Sequence, residues 1–365
     1  MPVPYFTSHK VLRVAACTCL RKGCGFFQGM DRAKILCYTI VSKEKGEMAV
    51  ELLEELSRDR WLTTGDYARL LDRPHREAAR RLADRVRREQ FGTRVFLRGL
   101  IDVGSICEYD CPHCHQRASA DCVRYRMRPR EILDCCEEAE AMGVQSFLLR
   151  SGPDRFYTDR MLFSLISRIR ELVPHCAVTL AMGERDRRSM TQLSDAGADR
   201  YLLLQETADP ERFRRTHPAD LDFEKRLHCL NEMKEAGFQT GCGFLVGDLR
   251  PGELARELKF LEEFQPHAVE LVPMGAEPET VEYLISLIRL MLPEALITAP
   301  DNSPGQILAG ANVVTQSLIR SRRSHPCCGG NRFDGPASPE TLAALSRTLS
   351  ELGFEMTLDP APWNG

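Results

Sequence analysis

Gly104-Ser105-Ile106-Cys107-Glu108-Tyr109-Asp110-Cys111-Pro112-His113-Cys114 follows directly on an apolar run that extends from Val95-Phe96-Leu97 to Val103. The run predicts a strand, and the strand delivers a loop with cysteines in C-x3-C-x2-C spacing. Thiolate is the soft ligand that iron–sulfur clusters prefer, so each cysteine can take one iron of a cubane cluster. A fourth iron is then left without a protein ligand. Such an open position can chelate the amine and carboxylate of a small molecule, whereas a closed four-cysteine site mainly carries electrons. Two other readings stay open: a zinc knuckle completed by His113, His115 or Cys122, and three packing cysteines on a loop that also carries Glu108 and Asp110.

Beyond this loop, short apolar runs alternate with amphipathic helical stretches, the pattern of βα units around a parallel sheet. Strands are predicted at 95–103, 146–149, 177–180, 201–204, 242–246, 269–272, 296–299 and 312–315, enough repeats to close a (β/α)8 barrel. The competing doubly wound sheet lacks its glycine-rich phosphate turn after the first strand. Ile132, Cys135, Cys136, Ala139 and Met142 form one apolar helical stripe ended by Gly143, and Phe223, Leu227, Leu230 and Met233 form another ended by Gly237. Ser338-Pro339-Glu340 reads as an N-cap and acidic first turn opening a terminal helix over 341–352. The fold class is therefore α/β, a TIM-type barrel with a helical extension before it and a closing helix after it. In such a barrel the reactive groups sit on loops at the carboxyl ends of strands, where the cysteine loop falls.

Upstream, residues 1–47 carry Cys17, Cys19, Cys24 and Cys37 among basic residues with no sustained period. They are read as a weakly ordered or spurious extension, with Met48 as a plausible true start. Residues 48–92 form the helical preface, and 93–365 the barrel with its C-terminal helix. Across all 365 residues, 43% hydrophobic and 28% charged side chains indicate an ordinary soluble globular protein. A net charge of -3 offers no attraction to nucleic acid or to an anionic membrane. No apolar run approaches the roughly 18–20 residues that span a bilayer, and no signal peptide is seen, so a cytoplasmic location is expected. Fifteen cysteines is an odd number in a chain too large to need stapling, which fits reduced thiols used for packing and metal.

With the cysteine loop placed after strand one of a barrel, the chain resembles the radical S-adenosylmethionine (SAM) superfamily. Within it, five stretches resemble the [FeFe]-hydrogenase maturase HydE family, a neighbour of biotin synthase and methylornithine synthase. They are Leu97-Arg98-Gly99-Leu100-Ile101, Arg124-Tyr125-Arg126-Met127, Gly197 to Leu203, Glu206-Thr207-Ala208, and Gly310-Ala311-Asn312-Val313-Val314. The resemblance runs from about Met48 to about Thr315. It implies a [4Fe-4S] cluster on Cys107, Cys111 and Cys114, with SAM held by its amine and carboxylate on the unique iron. Reduction then cleaves SAM to methionine and a 5′-deoxyadenosyl radical, and no protein side chain is assigned a catalytic role. It also implies that His113 lies near the adenine, that Ser151, Gly152 and Asp154 lie near the SAM amine, and that Glu206 and Arg226 hold the cofactor's polar groups. The expected partners are a small-molecule substrate, a reductant such as ferredoxin or flavodoxin, and maturation proteins.

The chain also departs from that pattern. Gln205 stands in a Leu204-Gln205-Glu206-Thr207 segment closer to methylornithine synthase, and Pro153 stands where a Glu is expected. The loop after strand six is shortened to Met274-Gly275-Ala276-Glu277-Pro278-Glu279. At the end of strand seven, Thr298 and Asp301 are candidate substrate residues, Asp301 resembling an acid that methylornithine synthases use toward an amino acid. Glu270 sits where that family has an Arg, a charge badly suited to a carboxylate. Cys327-Cys328 are too close together to chelate a [2Fe-2S] cluster alone. The leading expectation is a HydE-like enzyme; the alternatives are a methylornithine-synthase-like mutase and a cluster- and SAM-binding scaffold in a maturation complex.

Overall fold

A strand covered on both faces needs a continuous apolar run rather than an alternating one, and β1 (Arg94–Asp102) is buried at every position after its first. The computed structural model describes residues 48–319 and 336–362. Seven further barrel strands follow: β2 (Ser146–Arg150), β3 (Ala177–Ala181), β4 (Arg200–Leu202), β5 (Gln239–Val246), β6 (Ala268–Pro273), β7 (Leu296–Ile297) and β8 (Val313–Ser317). They lie parallel in the order β7-β6-β5-β4-β3-β2-β1-β8. A parallel bridge between Thr298 and Val313 joins the two ends of this order and closes the ring.

The closure depends on side chains because β7 is so short. Asn312 Oδ1 accepts from the Ile297 N–H at 2.8 Å and from Arg289 at 2.9 Å. Arg289 is fully buried, and it also donates to the carbonyls of Gly310, Pro293 and Ala295. The Gly310–Val314 motif is thus a clamp between the last two strands.

Three helices precede the barrel: α1 over 48–59, α2 (Thr64–Asp72) and α3 (Arg76–Phe91). α4 (Pro129–Glu140), α5 (Asp159–Leu172) and α6 (Arg187–Asp195) follow the first three strands. α7 (Pro210–Thr216) and α8 (Phe223–Glu235) both follow β4, and α9 (Pro251–Phe264), α10 (Pro278–Met291) and α11 (Pro304–Leu308) complete the outer layer. α12 (Pro339–Glu351) begins where Ser338 Oγ accepts from the Thr341 N–H, as the sequence predicts. It leads into β9 (Glu355–Thr357), which pairs in parallel with the start of β1. No sequence pattern points to this strand, which is only three residues long. Arg200 then donates to the Ala361 carbonyl at 2.9 Å, so the chain end covers the amino-terminal floor of the barrel.

No helix among the described residues is long and apolar enough to cross a membrane. Residues 1–47 and the Cys327-Cys328 pair lie outside the described residues.

Candidate metal and cofactor site

The cysteine loop leaves the carboxyl end of β1 and is held by one side chain. Arg124 donates to the carbonyls of Ser105, Gln116, Arg117 and Ala120 at 2.6 to 3.0 Å, tying both ends of the loop to one guanidinium. Ser105 adds a second tie, its Oγ donating to the Val123 carbonyl and accepting from the Tyr125 N–H. The loop after β2 packs against it. A Cβ on Gly152 would lie 2.6 Å from Cys107 Cβ and 2.8 Å from its Sγ, so only glycine fits there. The Glu108 N–H donates to the Pro153 carbonyl at 3.0 Å. Of the residues expected near the SAM amine, Asp154 is engaged by a bidentate fork from Arg126 (2.7 and 2.9 Å). Ser151 Oγ donates to the Gly152 carbonyl.

Burial pushes the Cys107 thiol up to about 11 and the Cys111 thiol up to about 12, and it raises Cys114 as well. Each of these groups must lose its proton to bind metal, so the metal's charge has to offset the burial. The sulfurs of Cys107 and Cys114 both act on Cys111, which places the three in one electrostatic neighbourhood. They do not converge on a single-ion site. Thiolates around zinc, at about 2.3 Å each, sit roughly 4 Å apart. Among the described residues, the only three such side chains with ligand atoms all within 4.8 Å of one another are His113, Glu206 and His217. A spread set of three thiols on one loop suits a multi-iron cluster, in which each sulfur takes its own metal corner.

Glu206 follows β4 with a left-handed backbone, φ 66°, a conformation non-glycine residues rarely adopt. Its N–H donates to the Gly243 carbonyl and its carbonyl accepts from the Leu245 N–H, which ties the residue to β5. Its Oε2 stands 3.0 Å from His113 Nε2 and 2.7 Å from His217 Nε2. Arg226 lies 3.7 Å from its Oε1. Burial works to raise the Glu206 carboxyl, but the two imidazoles and Arg226 outweigh it and hold the carboxyl far below its ordinary range. Arg226 itself is buried and stays charged, because Glu184 and Glu206 together overcome the cost of burial. The structure therefore brings His113, Glu206 and Arg226 together as one group beside Cys111.

Sequence reasoning missed two members of that group. Glu184, on the loop after β3, accepts from Arg226 Nε and from Tyr109 Oη. His217, beyond α7, is stacked on Phe213 with centroids 3.8 Å apart. Neither sits in a spacing motif, and only the adjacency of the β3 and β4 loops joins them to Glu206.

Thr298 and Asp301 part company. Thr298 is buried and lines an internal cavity with Arg98, Thr179 and Arg200, its Oγ1 3.5 Å from Glu270. Asp301 is exposed, and its carboxylate accepts from the Ser303 N–H at the start of α11. Glu270 is paired with Arg98, which also reaches Thr315.

A closed parallel barrel with a cysteine loop on its first strand end defines an iron–sulfur barrel protein. The family model described as the radical SAM superfamily matches residues 101–264. The chain is 33% identical, over 73% of its length and 80% of the relative's, to the [FeFe] hydrogenase maturase subunit HydE of Thermotoga maritima. It is 27% identical, over 70% and 80%, to 3-methylornithine synthase of Methanosarcina barkeri. A crystal structure of methylornithine synthase shares the fold with a TM-score of 0.74 at 23% identity, covering 84% of this chain and 97% of that one. The chain belongs to the radical SAM superfamily. That family uses a [4Fe-4S] cluster and SAM, and three soft thiols on one loop fit such a cluster.

Proposed function

We propose that this chain is a HydE-like radical SAM enzyme in which Cys107, Cys111 and Cys114 hold the cluster. The reading is carried by one observation: three thiols on a stapled strand-end loop, beside a buried group of opposite charges gathered from the loops after β3 and β4 and from α8. When bound, the cluster and SAM supply an electron transfer that yields methionine and a 5′-deoxyadenosyl radical. The protein's part is to position and shield. Arg124 fixes the loop, and Gly152 lets the β2 loop close over Cys107. Glu206 presents a carboxylate to the methionyl ammonium, Arg226 keeps positive charge toward its carboxylate, and His113 borders the adenine. Ser151, Gly152 and Asp154 bound the amine side, with Asp154 acting through Arg126.

The substrate is a small molecule held in the barrel below SAM, where the Arg98–Glu270 pair presents both charges. The 33% identity to HydE supports a role in hydrogenase maturation, with partner maturases and a ferredoxin- or flavodoxin-type reductant in the cytoplasm. A second reading, an amino-acid mutase, is favoured by Gln205: its Oε1 accepts from the Gly243 N–H, while its buried Nε2 has no partner among the described residues. That spare donor suits a carboxylate or carbonyl of a bound ligand.

The test uses anaerobically reconstituted protein with dithionite and SAM. Methionine and 5′-deoxyadenosine should form in equal amounts, and Cys111→Ala should form neither. The chain should then replace HydE when an [FeFe] hydrogenase is matured with its other partners. Radical formation without hydrogenase activation would set aside the maturase role in favour of the mutase.

A further inference from the structure

We propose that His113, Glu206 and His217 form a second metal site, for a borderline divalent cation such as zinc, and that filling it competes with SAM for Glu206. Both rings turn Nδ1 toward a backbone carbonyl: His113 to Thr216 at 3.2 Å, and His217 to Phe213 at 3.0 Å. A carbonyl can only accept, so Nδ1 donates on each ring, and Nε2 offers a lone pair to a metal once its own proton is displaced. The two Nε2 atoms face the same carboxylate oxygen, at 3.0 and 2.7 Å. Without metal, the Nε2 protons hold the carboxylate as hydrogen-bond donors, and a divalent cation entering the group displaces them. Imidazoles that bind metal through one nitrogen characteristically donate the other N–H to a carbonyl or carboxylate, which is the arrangement of both rings here.

The ligand atoms already lie within 4.8 Å of one another, and tetrahedral bonds of about 2.0–2.1 Å to nitrogen and oxygen need roughly 3.3 Å between ligands. The two nitrogen–oxygen contacts, at 3.0 and 2.7 Å, need to open by only about 0.3–0.6 Å. His217 is held for the task, since it is buried, stacked on Phe213 and packed edge-on to His113. Arg226 stands 3.7 Å from Glu206 Oε1 and is held more closely by Glu184, which leaves Oε2 to face a cation. Two imidazoles and a carboxylate form a nitrogen and oxygen set suited to zinc or ferrous iron. This set is distinct from the thiols, so the two metals need not exchange. The competition, unlike the site itself, rests on the reading of Glu206 as the group that faces the methionyl ammonium.

The experiment takes the full chain with its cluster assembled, dialyses it anaerobically against zinc, and counts zinc, iron and sulfide. The proteins compared are the unmodified chain, His113→Phe and His217→Gln. One equivalent of zinc should be lost, or its affinity weakened by about tenfold or more, in each variant, with iron and sulfide unchanged as the check on folding. Zinc X-ray absorption should show nitrogen and oxygen neighbours at about 2.0–2.1 Å rather than sulfur at about 2.3 Å. A sulfur shell, or equal zinc binding in all three proteins, overturns the site. SAM binding by equilibrium dialysis should weaken about tenfold with saturating zinc in the unmodified chain and stay constant in His217→Gln. Zinc bound in the nitrogen and oxygen site with SAM affinity unmoved would overturn the competition, and with it the assignment of Glu206 to the ammonium, while leaving the site in place.

Discussion

Glu206 keeps a left-handed backbone that costs of order 1–3 kcal/mol, and such strain gathers where function over-determines the geometry. Glu206→Gln keeps the backbone and the length but removes the charge. SAM affinity should fall by about tenfold or more, the loss of a hydrogen bond to a charged group, and the melting temperature should fall too, because His217 and Arg226 lose their buried anion. Equilibrium binding and a thermal scan check both halves. Gly152→Ala tests the contact with Cys107: the added carbon meets Sγ at 2.8 Å, and overpacking of this kind costs about 1–3 kcal/mol. Iron and sulfide content should drop while the circular dichroism spectrum holds. These residues differ in how legible they were. The cysteines announced themselves through spacing, and Glu206 through the resemblance. His217 and Glu184 did not, because their role arises where two loops meet, 33 residues apart in the chain. Asp301 closed the suggestive run that starts at Thr298, yet the N-cap residue of α11, Ser303, engages its carboxylate.

Among the elements, α9 steadies the loop that carries Glu206. Glu257 is buried there, and its carboxylate accepts from Thr207 Oγ1 and from the Ala208 N–H, each at 2.7 Å. Burial pushes its carboxyl up to about 7, against the pull of those hydrogen bonds and of Arg212 and Arg256. The raised value sets the sign: stability from this group is present in full below its unfolded value near 4.5 and is lost as pH climbs through about 7. Glu257→Gln, a mimic of the protonated form, should flatten the decline in stability between those limits, an effect of order 1–3 kcal/mol. Denaturant unfolding at several pH values measures it. The elements themselves were largely written in the sequence, since all eight barrel strands fall within a few residues of their predicted runs. β7 came out shorter than the run 296–299, because Asn312 and Arg289 take over its pairing. β9 was invisible, being too short to show a period and fixed by its pairing with β1.

For the whole molecule, the alternation of strand and helix with the cysteine loop after the first strand was enough to specify the barrel. The chemistry inside it was only partly specified. The Glu270 that looked hostile to a carboxylate is offset by Arg98 across the barrel, a pairing of residues 172 apart that no local reading could reveal. The proposed chemistry requires a cluster iron that no side chain fills, open to SAM. Electron–nuclear double resonance on the reduced cluster, with SAM carrying nitrogen-15 in its methionyl amine, addresses this directly. A hyperfine coupling between that nitrogen and the cluster spin is the result predicted. A fully loaded cluster with no coupling at saturating SAM would contradict it.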